Sequence, residues 1–417
     1  MTHKLRNDLI VAIVMVFAFA ALPAFAQQPI EDLKPTVILI SLDGFRYDYV
    51  DKYEAPTIRR LATEGVRAKW MIPSFPTKTF PNHYTVVTGL YPANHGLVEN
   101  NVFDFGTVFT MSKREEVENP RWWGGEPIWV TAESQGQIAA SFFWVGSEAK
   151  VKDRQPTYWK RYDGKVPNEE RVDTVLSWLD LPREKRPTII TLYFSDTDDA
   201  GHAAGPDSEA VKNAVKKVDG DIARLVEGLK KRKIDGKANI IITSDHGMAA
   251  VPAGNVVYIY RALREEWLER DPITTGEIWQ IWPKPERTDE MMTALARLEN
   301  TTCWRKADIP DRFHYKQGAR VAPVICSAKL GWSMSANKRP PARPPTTNDA
   351  RVRGAHGFDN QYQEMQATFI AHGRAFKKNK TVEPFANVEV YNVMCKILGI
   401  KPAPNDGDLR RVKSMLR

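Results

Sequence analysis

Three short apolar runs, each followed directly by polar and acidic residues, restrict the fold of this chain more than any other feature. The runs occupy residues 36–42, 188–194 and 239–243 and are rich in β-branched side chains. Continuous runs of this kind are typical of strands buried on both faces of a parallel sheet. Because helix-like segments follow the first two runs, we predict an α/β fold with a central, mostly parallel sheet flanked by helices.

Two helices are predicted between these strands. Residues 56–64 place Ile58 and Leu61 on one face and end at Gly65, a common helix stop. After the second strand we expect a polar loop. A longer helix should then begin near Pro206, because apolar residues recur beyond it at steps of four and three.

The chain is predicted to form one large domain. It shows neither an internal repeat nor a linker between compositionally distinct halves, so residues 27–417 are expected to be a single domain with looped insertions. The proline-rich segment 337–350 is expected to be an exposed loop, and whether it covers a site is left open.

The surplus of basic residues is spread along the chain. The formal net charge is +8, and no long basic run concentrates that charge. Nucleic-acid binding proteins usually gather their charge in a patch or stripe. We therefore expect no nucleic-acid polymer as a partner.

The first 26 residues are predicted to be a secretory signal peptide. Lys4 and Arg6 precede an apolar run at residues 9–21, and an Ala-Phe-Ala exit follows at Ala26. The alternative is an N-terminal membrane anchor, but the run is shorter than the ~20 residues that a membrane span needs. We expect a periplasmic or secreted protein with no stable membrane anchor after cleavage.

The three cysteines allow at most one intrachain disulfide. Cys395 lies in an apolar segment that is expected to be a buried helix. A disulfide between Cys303 and Cys326 is therefore favoured.

Acidic and histidine side chains after the predicted strands or in glycine-flanked loops form the candidate chemical site. They are Asp43, Asp198, His202, Asp245, His246 and His356. Carboxylate oxygens and imidazole nitrogens suit Zn²⁺, and two such ions can bind the attacking and leaving oxygens of a phosphoryl transfer. We therefore predict two Zn²⁺ ions. The alternative for each residue taken singly is a turn or a hydrogen-bonded structural role.

A threonine is predicted to be the nucleophile between these ions. Thr79 stands two residues before Pro81, and residues 82–88 can continue a helix whose first turn tolerates proline. Unpaired N–H groups at a helix N-terminus favour an alkoxide and a phosphate oxygen. The alternatives are a simple helix cap for Thr79 and a nucleophilic role for Thr77.

Charge counting favours a phosphodiester substrate. Two Zn²⁺ ions would balance the charges of three aspartates and a Thr79 alkoxide, so the site is neutral before a singly charged diester arrives. No Arg or Lys is adjacent in sequence to any of the six ligands, so a dianionic monoester is less well accommodated.

The motifs around these residues resemble those of the nucleotide pyrophosphatase/phosphodiesterases of the alkaline phosphatase superfamily. The shared segments are 42–46, 77–100, 198–206, 244–248 and 354–360. The resemblance covers most of residues 36–400 and implies an alkaline-phosphatase-like α/β fold. It also implies a metal-dependent hydrolase that acts on nucleotides or other small phosphodiesters.

The resemblance implies a role for each candidate residue. Thr79 would be the nucleophile, and Asn100 would donate to a phosphate oxygen alongside the Thr79 backbone N–H, as in an oxyanion hole. One zinc would be held by Asp43, Asp245, His246 and Thr79, and the other by Asp198, His202 and His356.

Two aromatic residues match the pair that holds a nucleotide base in that family. Phe80 and Tyr162 would sandwich the base, and stacking of this kind tolerates any base. The alternative is that both are packing residues. Val145 departs from the family pattern, which usually has proline there, and so changes one wall of this pocket.

The implied mechanism has two steps and retains configuration at phosphorus. Thr79 attacks phosphorus, and water then hydrolyses the phospho-threonine. The alternatives are a phosphonate hydrolase, a lipid phosphodiesterase, and a secreted nucleotide-binding protein whose metal site is only structural. A sulfatase is disfavoured because position 79 is neither Cys nor Ser.

Overall fold

A computed structural model describes residues 28–104, 106–339 and 351–417. The predicted signal peptide and most of the proline-rich loop lie outside these ranges. Among the described helices, none combines the length and apolar character needed to cross a membrane.

The described ranges contain twenty strands and twelve α-helices. The strands are β1 Val37–Leu42, β2 Val66–Ala68, β3 Met71–Ile72, β4 Val102–Asp104, β5 Thr107–Phe109, β6 Ala139–Phe142, β7 Tyr158–Trp159, β8 Ile189–Phe194, β9 Asn239–Thr243, β10 Ala249–Pro252, β11 Val256–Tyr258, β12 Ile273–Thr274, β13 Ile278–Ile281, β14 Thr301–Arg305, β15 Val324–Ala328, β16 Ser333–Ser335, β17 Val352–Ala355, β18 Phe369–His372, β19 Lys380–Val382 and β20 Phe385–Ala386. The helices are α1 Tyr49–Lys52, α2 Pro56–Glu64, α3 Thr79–Thr88, α4 Pro92–His95, α5 Arg114–Val117, α6 Ile128–Ser134, α7 Asn168–Leu179, α8 Asp196–Ala204, α9 Glu209–Lys231, α10 Thr288–Leu295, α11 Glu389–Leu398 and α12 Leu409–Val412.

An eight-stranded sheet forms the centre of the molecule, in the order β19-β2-β18-β9-β1-β8-β6-β7. The three strands predicted from the sequence are neighbours in it, and β1 is parallel to both β8 and β9. Only β18 runs antiparallel to its partners in this sheet, β2 and β9. The predicted α/β fold with a mostly parallel sheet is confirmed.

Alternating residues of β1 pack on opposite sides of the sheet. Val37 and Leu39 belong to the apolar cluster that also contains residues of α3, α6 and α11. Ile38 and Ile40 belong to the cluster that contains residues of α2, α7 and α9. Burial on both faces explains why this strand is a continuous apolar run.

A separate four-stranded antiparallel sheet, which we call the insert sheet, has the order β12-β13-β15-β14. Cys303 on β14 and Cys326 on β15 are opposite each other and form a disulfide. Cys395 is a buried thiol in α11. The pairing favoured from the sequence is therefore confirmed.

The segment after β8 differs from the prediction. Where a polar loop was expected, the chain forms helix α8, and α9 begins only at Glu209. Acidic residues in the first turn of α8 suit the positive end of the helix dipole. The sequence pattern did not reveal this helix because Gly201 and the aspartates weaken its helical signal. Its formation matters because Asp198 and His202, four residues apart, come to share one face.

Candidate functional site

All six predicted metal ligands lie together beyond the carboxyl ends of β1, β8 and β9. They form two groups, which are Asp43, Asp245 and His246 in the first and Asp198, His202 and His356 in the second. Within each group, one potential ligand atom per residue lies within 4.8 Å of the others. Ligands commonly gather at this edge of open α/β sheets. The structure therefore brings the six side chains into one place, and their roles as ligands stay predictions.

The two groups are in direct contact with each other. The rings of His246 and His356 stack with centroids 3.5 Å apart. Within the second group Asp198 Oδ1 lies 3.7 Å from His356 Nε2, and within the first group Asp43 Oδ1 lies 3.5 Å from His246 Nε2. The stacked rings thus join the two groups into one continuous site.

The histidine rings are oriented by backbone carbonyls. In each ring Nδ1 is hydrogen-bonded to a carbonyl oxygen, namely His202 to Gly354 (2.9 Å), His246 to Gly247 (2.8 Å) and His356 to Thr77 (2.9 Å). A carbonyl can only accept, so Nδ1 donates in each pair and Nε2 is directed at the carboxylates. This arrangement is the usual one for metal-binding histidines.

Two of the Nε2 atoms face each other at a distance that indicates a site for a cation. His202 Nε2 and His356 Nε2 lie 3.1 Å apart. Burial, reinforced by the positive charge of His246, lowers the pKa of His356 well below its usual value, so its Nε2 carries a lone pair. Two opposed imidazole nitrogens repel unless a proton or a metal ion lies near both. The donor set therefore fits a bound cation.

The buried carboxylates support the same conclusion. Asp43 Oδ1 and Asp198 Oδ1 are buried and accept no hydrogen bond from any described residue. Asp245 Oδ2 is also buried and lies 2.9 Å from His246 Nε2, with which it forms an ion pair. Burial, reinforced by the charge of Asp245, raises the pKa of Asp43, and burial also raises the pKa of Asp198. Burial opposes a charge on His246, but the Asp245 carboxylate outweighs it and raises the histidine pKa to about 9. Divalent cations would compensate this concentration of buried negative charge.

Two neighbouring side chains hold the first group in position. The Tyr193 hydroxyl donates to Asp43 Oδ2 at 2.6 Å. His83 Nδ1 lies 2.9 Å from the Thr79 carbonyl oxygen and 3.3 Å from Asp245 Oδ2. Sequence reasoning missed Tyr193. The signal for Tyr193 was its place near the carboxyl end of a predicted strand.

Thr79 is the first residue of α3 and lies beside the first group. Its Oγ1 is 3.3 Å from His246 Nε2. The capping position is Lys78, which makes no side-chain capping bond, so Thr79 is not the helix cap. Thr77 is fully buried, donates to the Phe358 carbonyl and accepts from the Gly357 N–H. Of the two threonines, the geometry favours Thr79 as the nucleophile.

Asn100 is tied to the first turn of α3. Its Oδ1 accepts a hydrogen bond from the Phe80 N–H at 2.9 Å. With the carbonyl oxygen engaged, the amide NH₂ is the part of Asn100 that remains to donate. This orientation suits the predicted donation to a phosphate oxygen beside Thr79.

A cavity of about 240 Å³ opens next to Thr79. Residues from the metal groups and the two predicted aromatics line it together, including Asp43, Asp198, Thr79, Phe80 and Tyr162. Phe80 packs against Phe109 and Trp123, and Tyr162 packs edge-on against Phe143. Val145 lines the same cavity. The cavity is thus lined by both polar residues of the metal groups and aromatic side chains, a combination that is typical of ligand sites.

A buried ion pair beside the nucleophile was not foreseen. Lys78 Nζ lies 2.8 Å from Glu277 Oε2, and both side chains are 5% exposed. The charge of Lys78 also contributes to lowering the pKa of His356. Lys78 is not adjacent in sequence to any of the six predicted ligands, so the sequence did not reveal that its charge lies near His356. Glu277 neutralises Lys78, so this ion pair adds no net charge beside the site.

Comparison with known proteins gives consistent matches over most of the chain. The family model described as type I phosphodiesterase / nucleotide pyrophosphatase matches residues 37–359. The chain is 38% identical over 396 residues to ectonucleotide pyrophosphatase/phosphodiesterase family member 3 of Rattus norvegicus, covering 92% of this chain and 44% of that protein. It is likewise 38% identical over 396 residues to a venom phosphodiesterase of Crotalus durissus collilineatus, covering 91% and 46%. The chain thus spans about half the length of these relatives.

Solved structures match as well. An inactive variant of murine ectonucleotide pyrophosphatase / phosphodiesterase 5, in complex with AMP, superposes with a TM-score of 0.84 at 33% identity. The match covers 92% of this chain and 100% of that one. The human form of the same protein matches with an equal TM-score.

Proposed function

This chain belongs to the type I phosphodiesterase / nucleotide pyrophosphatase family, and from that premise we propose that it hydrolyses phosphodiester or phosphoanhydride bonds. The proposed substrates are nucleotides or other small phosphodiesters. One observation carries the proposal, namely that the Thr79 hydroxyl lies beside the metal groups and on the cavity. We further propose that residues 27–417 are a single catalytic domain with looped insertions. Residues 1–26 would direct it to the periplasm or outside the cell.

We propose that the site holds two Zn²⁺ ions. Asp43, Asp245, His246 and Thr79 would bind one ion, and Asp198, His202 and His356 the other. When bound, the ions would act as Lewis acids that stabilise negative charge on the attacking and leaving oxygens. The unpartnered carboxylate oxygens and the opposed histidine nitrogens support this assignment.

The residues of the chain have distinct tasks in the proposed reaction. Thr79 loses its hydroxyl proton to solvent and attacks phosphorus, and the bond to the leaving oxygen breaks as the phospho-threonine forms, with the other ester group of the substrate still on phosphorus. Water then attacks the same phosphorus and releases Thr79. Two successive displacements retain the configuration at phosphorus. Donors at the start of α3 and the Asn100 amide stabilise the charge that develops on the phosphate oxygens.

Zinc analysis combined with a substrate panel tests this proposal. We expect purified protein to contain two zinc ions per chain and to hydrolyse bis(4-nitrophenyl) phosphate and ATP much faster than the monoester 4-nitrophenyl phosphate. The proposed two-zinc site is neutral, and a diester phosphorus or the α-phosphorus of ATP carries one negative charge where the monoester phosphorus carries two. Faster hydrolysis of phosphonoacetate or of a lysophospholipid would instead indicate one of the alternative substrates. Tight nucleotide binding without product release over hours would contradict catalysis.

Tyr162 is one of the aromatic residues that line the cavity, so its replacement should weaken the binding of a nucleotide base. The Tyr162→Ala variant should raise KM for ATP by roughly 5- to 150-fold, because base stacking contributes about 1–3 kcal/mol. Hydrolysis of methyl 4-nitrophenyl phosphate should change little, since the group that this substrate keeps on phosphorus is a methyl without an aromatic ring. Trp159→Ala is the matched control, because Trp159 is similarly exposed and lies outside the cavity. Equal effects of Tyr162→Ala on both substrates would argue against base stacking.

A further inference from the structure

The turn between β12 and β13 of the insert sheet contacts residues that adjoin Thr79 and Asn100 in the chain. We call residues 275–277 the insert turn. Gly276 has φ +94°, a conformation that favours glycine, and this lets the chain reverse tightly. The side chains of Thr275 and Glu277 in the insert turn contact two separate segments outside the insert sheet.

The first of these segments carries the nucleophile. Glu277 pairs with Lys78 in the buried ion pair, and Lys78 Nζ also donates to the Thr275 carbonyl oxygen at 3.2 Å. Lys78 immediately precedes Thr79. A Cβ atom on Gly357 would lie 2.3 Å from Lys78 Cε, so the absence of a side chain there makes room for the lysine. The insert turn therefore restrains the backbone on the N-terminal side of Thr79.

The second segment carries Asn100. The Thr275 hydroxyl donates to Glu99 Oε1 at 2.6 Å, and the other carboxylate oxygen of Glu99 accepts from the Asn101 N–H at 3.0 Å. From the adjoining strand β13, Gln280 Nε2 donates to the Asn101 carbonyl at 2.7 Å. Glu99 is fully buried. The residues on both sides of Asn100 are thus held by the insert sheet.

We propose that the insert turn is a positioning element that fixes Thr79 and Asn100 relative to each other. Thr275 and Glu277 are its positioning residues, and they act through Glu99 and Lys78. This inference rests on the proposed function for the roles of Thr79 and Asn100. Buried, fully bonded neighbours hold catalytic groups to within fractions of an ångström, and a misplacement of about 1 Å can lower a rate a hundredfold.

Two variants that alter only the polar contacts test the proposal. Glu277→Gln removes the charge from the Lys78 pair, and Thr275→Val removes the hydroxyl that bonds Glu99. Each should lower kcat for bis(4-nitrophenyl) phosphate by roughly 10- to 100-fold. KM and the zinc content should stay close to those of the unmodified protein. Thr275→Ser, which keeps the hydroxyl, should restore kcat.

Matched controls separate this effect from general destabilisation. Asp180→Asn removes the charge that pairs with buried Arg232 far from the site, where Nη2 and Oδ2 are 2.5 Å apart. Thr301→Val removes another buried hydroxyl of the insert sheet, which donates to the Ser327 carbonyl. Both controls should keep the kcat of the unmodified protein.

Hydrogen–deuterium exchange supplies a readout that does not depend on activity. Peptides covering residues 77–88 and 99–101 should exchange faster in Glu277→Gln and Thr275→Val than in the controls. Unchanged exchange with an unchanged kcat would overturn the proposal, as would a lower kcat that merely follows loss of zinc or of folded protein. The unmodified protein could hydrolyse no diester while residues 77–88 and 99–101 still exchange faster in the two variants. In that case the proposed function is wrong, and the insert turn still restrains these two segments.

Discussion

Replacing Thr79 with alanine should abolish turnover while leaving the zinc content mostly intact. The hydroxyl is the atom that attacks phosphorus, and removal of a catalytic nucleophile lowers kcat by roughly 10³-fold or more. The aspartates and histidines of both metal groups remain in Thr79→Ala, so zinc analysis should still find close to two ions per chain. The rate with bis(4-nitrophenyl) phosphate and zinc measured on the same sample check this prediction.

Two further variants make this test specific. Thr79→Ser keeps a hydroxyl at the start of α3 and should retain substantial activity. Thr88→Val removes a buried hydroxyl at the other end of the same helix, where it donates to the Tyr84 carbonyl, and should be nearly as active as the unmodified protein. Mass spectrometry of enzyme quenched in acid during turnover of bis(4-nitrophenyl) phosphate should find a 4-nitrophenyl phosphoryl group on the peptide that contains Thr79. Near-full activity of Thr79→Ala would exclude Thr79 as the nucleophile.

Replacing His202 with alanine should remove one of the two zinc ions and lower kcat by roughly a hundredfold or more, because the second group loses a ligand. The His202 side chain is 44% exposed, so its truncation should disturb the fold little. The first group, with Asp43, Asp245 and His246, should keep its ion. Zinc per chain, measured together with kcat and the unfolding temperature, checks the prediction.

A histidine away from the site provides the control. His372 lies on β18, and its Nε2 is 3.9 Å from Glu64 Oε2, outside both metal groups. His372→Ala should keep two zinc ions and normal kcat. If His202→Ala also retains two ions and full activity, the assignment of the second group is wrong.

The central sheet could be predicted because its strands satisfy a simple condition. Strands buried on both faces are apolar at most positions, so β1, β8 and β9 stand out as nearly continuous apolar runs. The insert sheet gave no comparable signal. Its strands β12 to β15 are short and carry polar residues such as Gln280 and Ser327, whose environment depends on long-range pairing. Helix α8 was missed for a related reason, since tertiary contacts stabilise a segment with weak helical propensity.

The candidate site could be predicted to a similar extent. The ligand candidates follow strands or lie in glycine-flanked loops, and the family resemblance, which the comparisons confirm, assigned them to two groups that the structure also brings together. The Tyr193 hydroxyl bond to Asp43 and the ion pair of Lys78 with Glu277 were beyond this reasoning. Neither partner is near the other in the chain, and both contacts depend on how separate elements pack.

By itself, the sequence determined the fold class, the family and the residue types that gather at one edge of the sheet, because these depend on local hydrophobic pattern and on motif. Only the tertiary structure decided how the histidine rings are oriented, which carboxylate oxygens are left without donors, and that the insert turn contacts the neighbours of both Thr79 and Asn100. The physical reason is that orientation and pairing are set by long-range packing. His356 and Thr77, for example, meet although they are 279 positions apart, and no local pattern encodes such a contact.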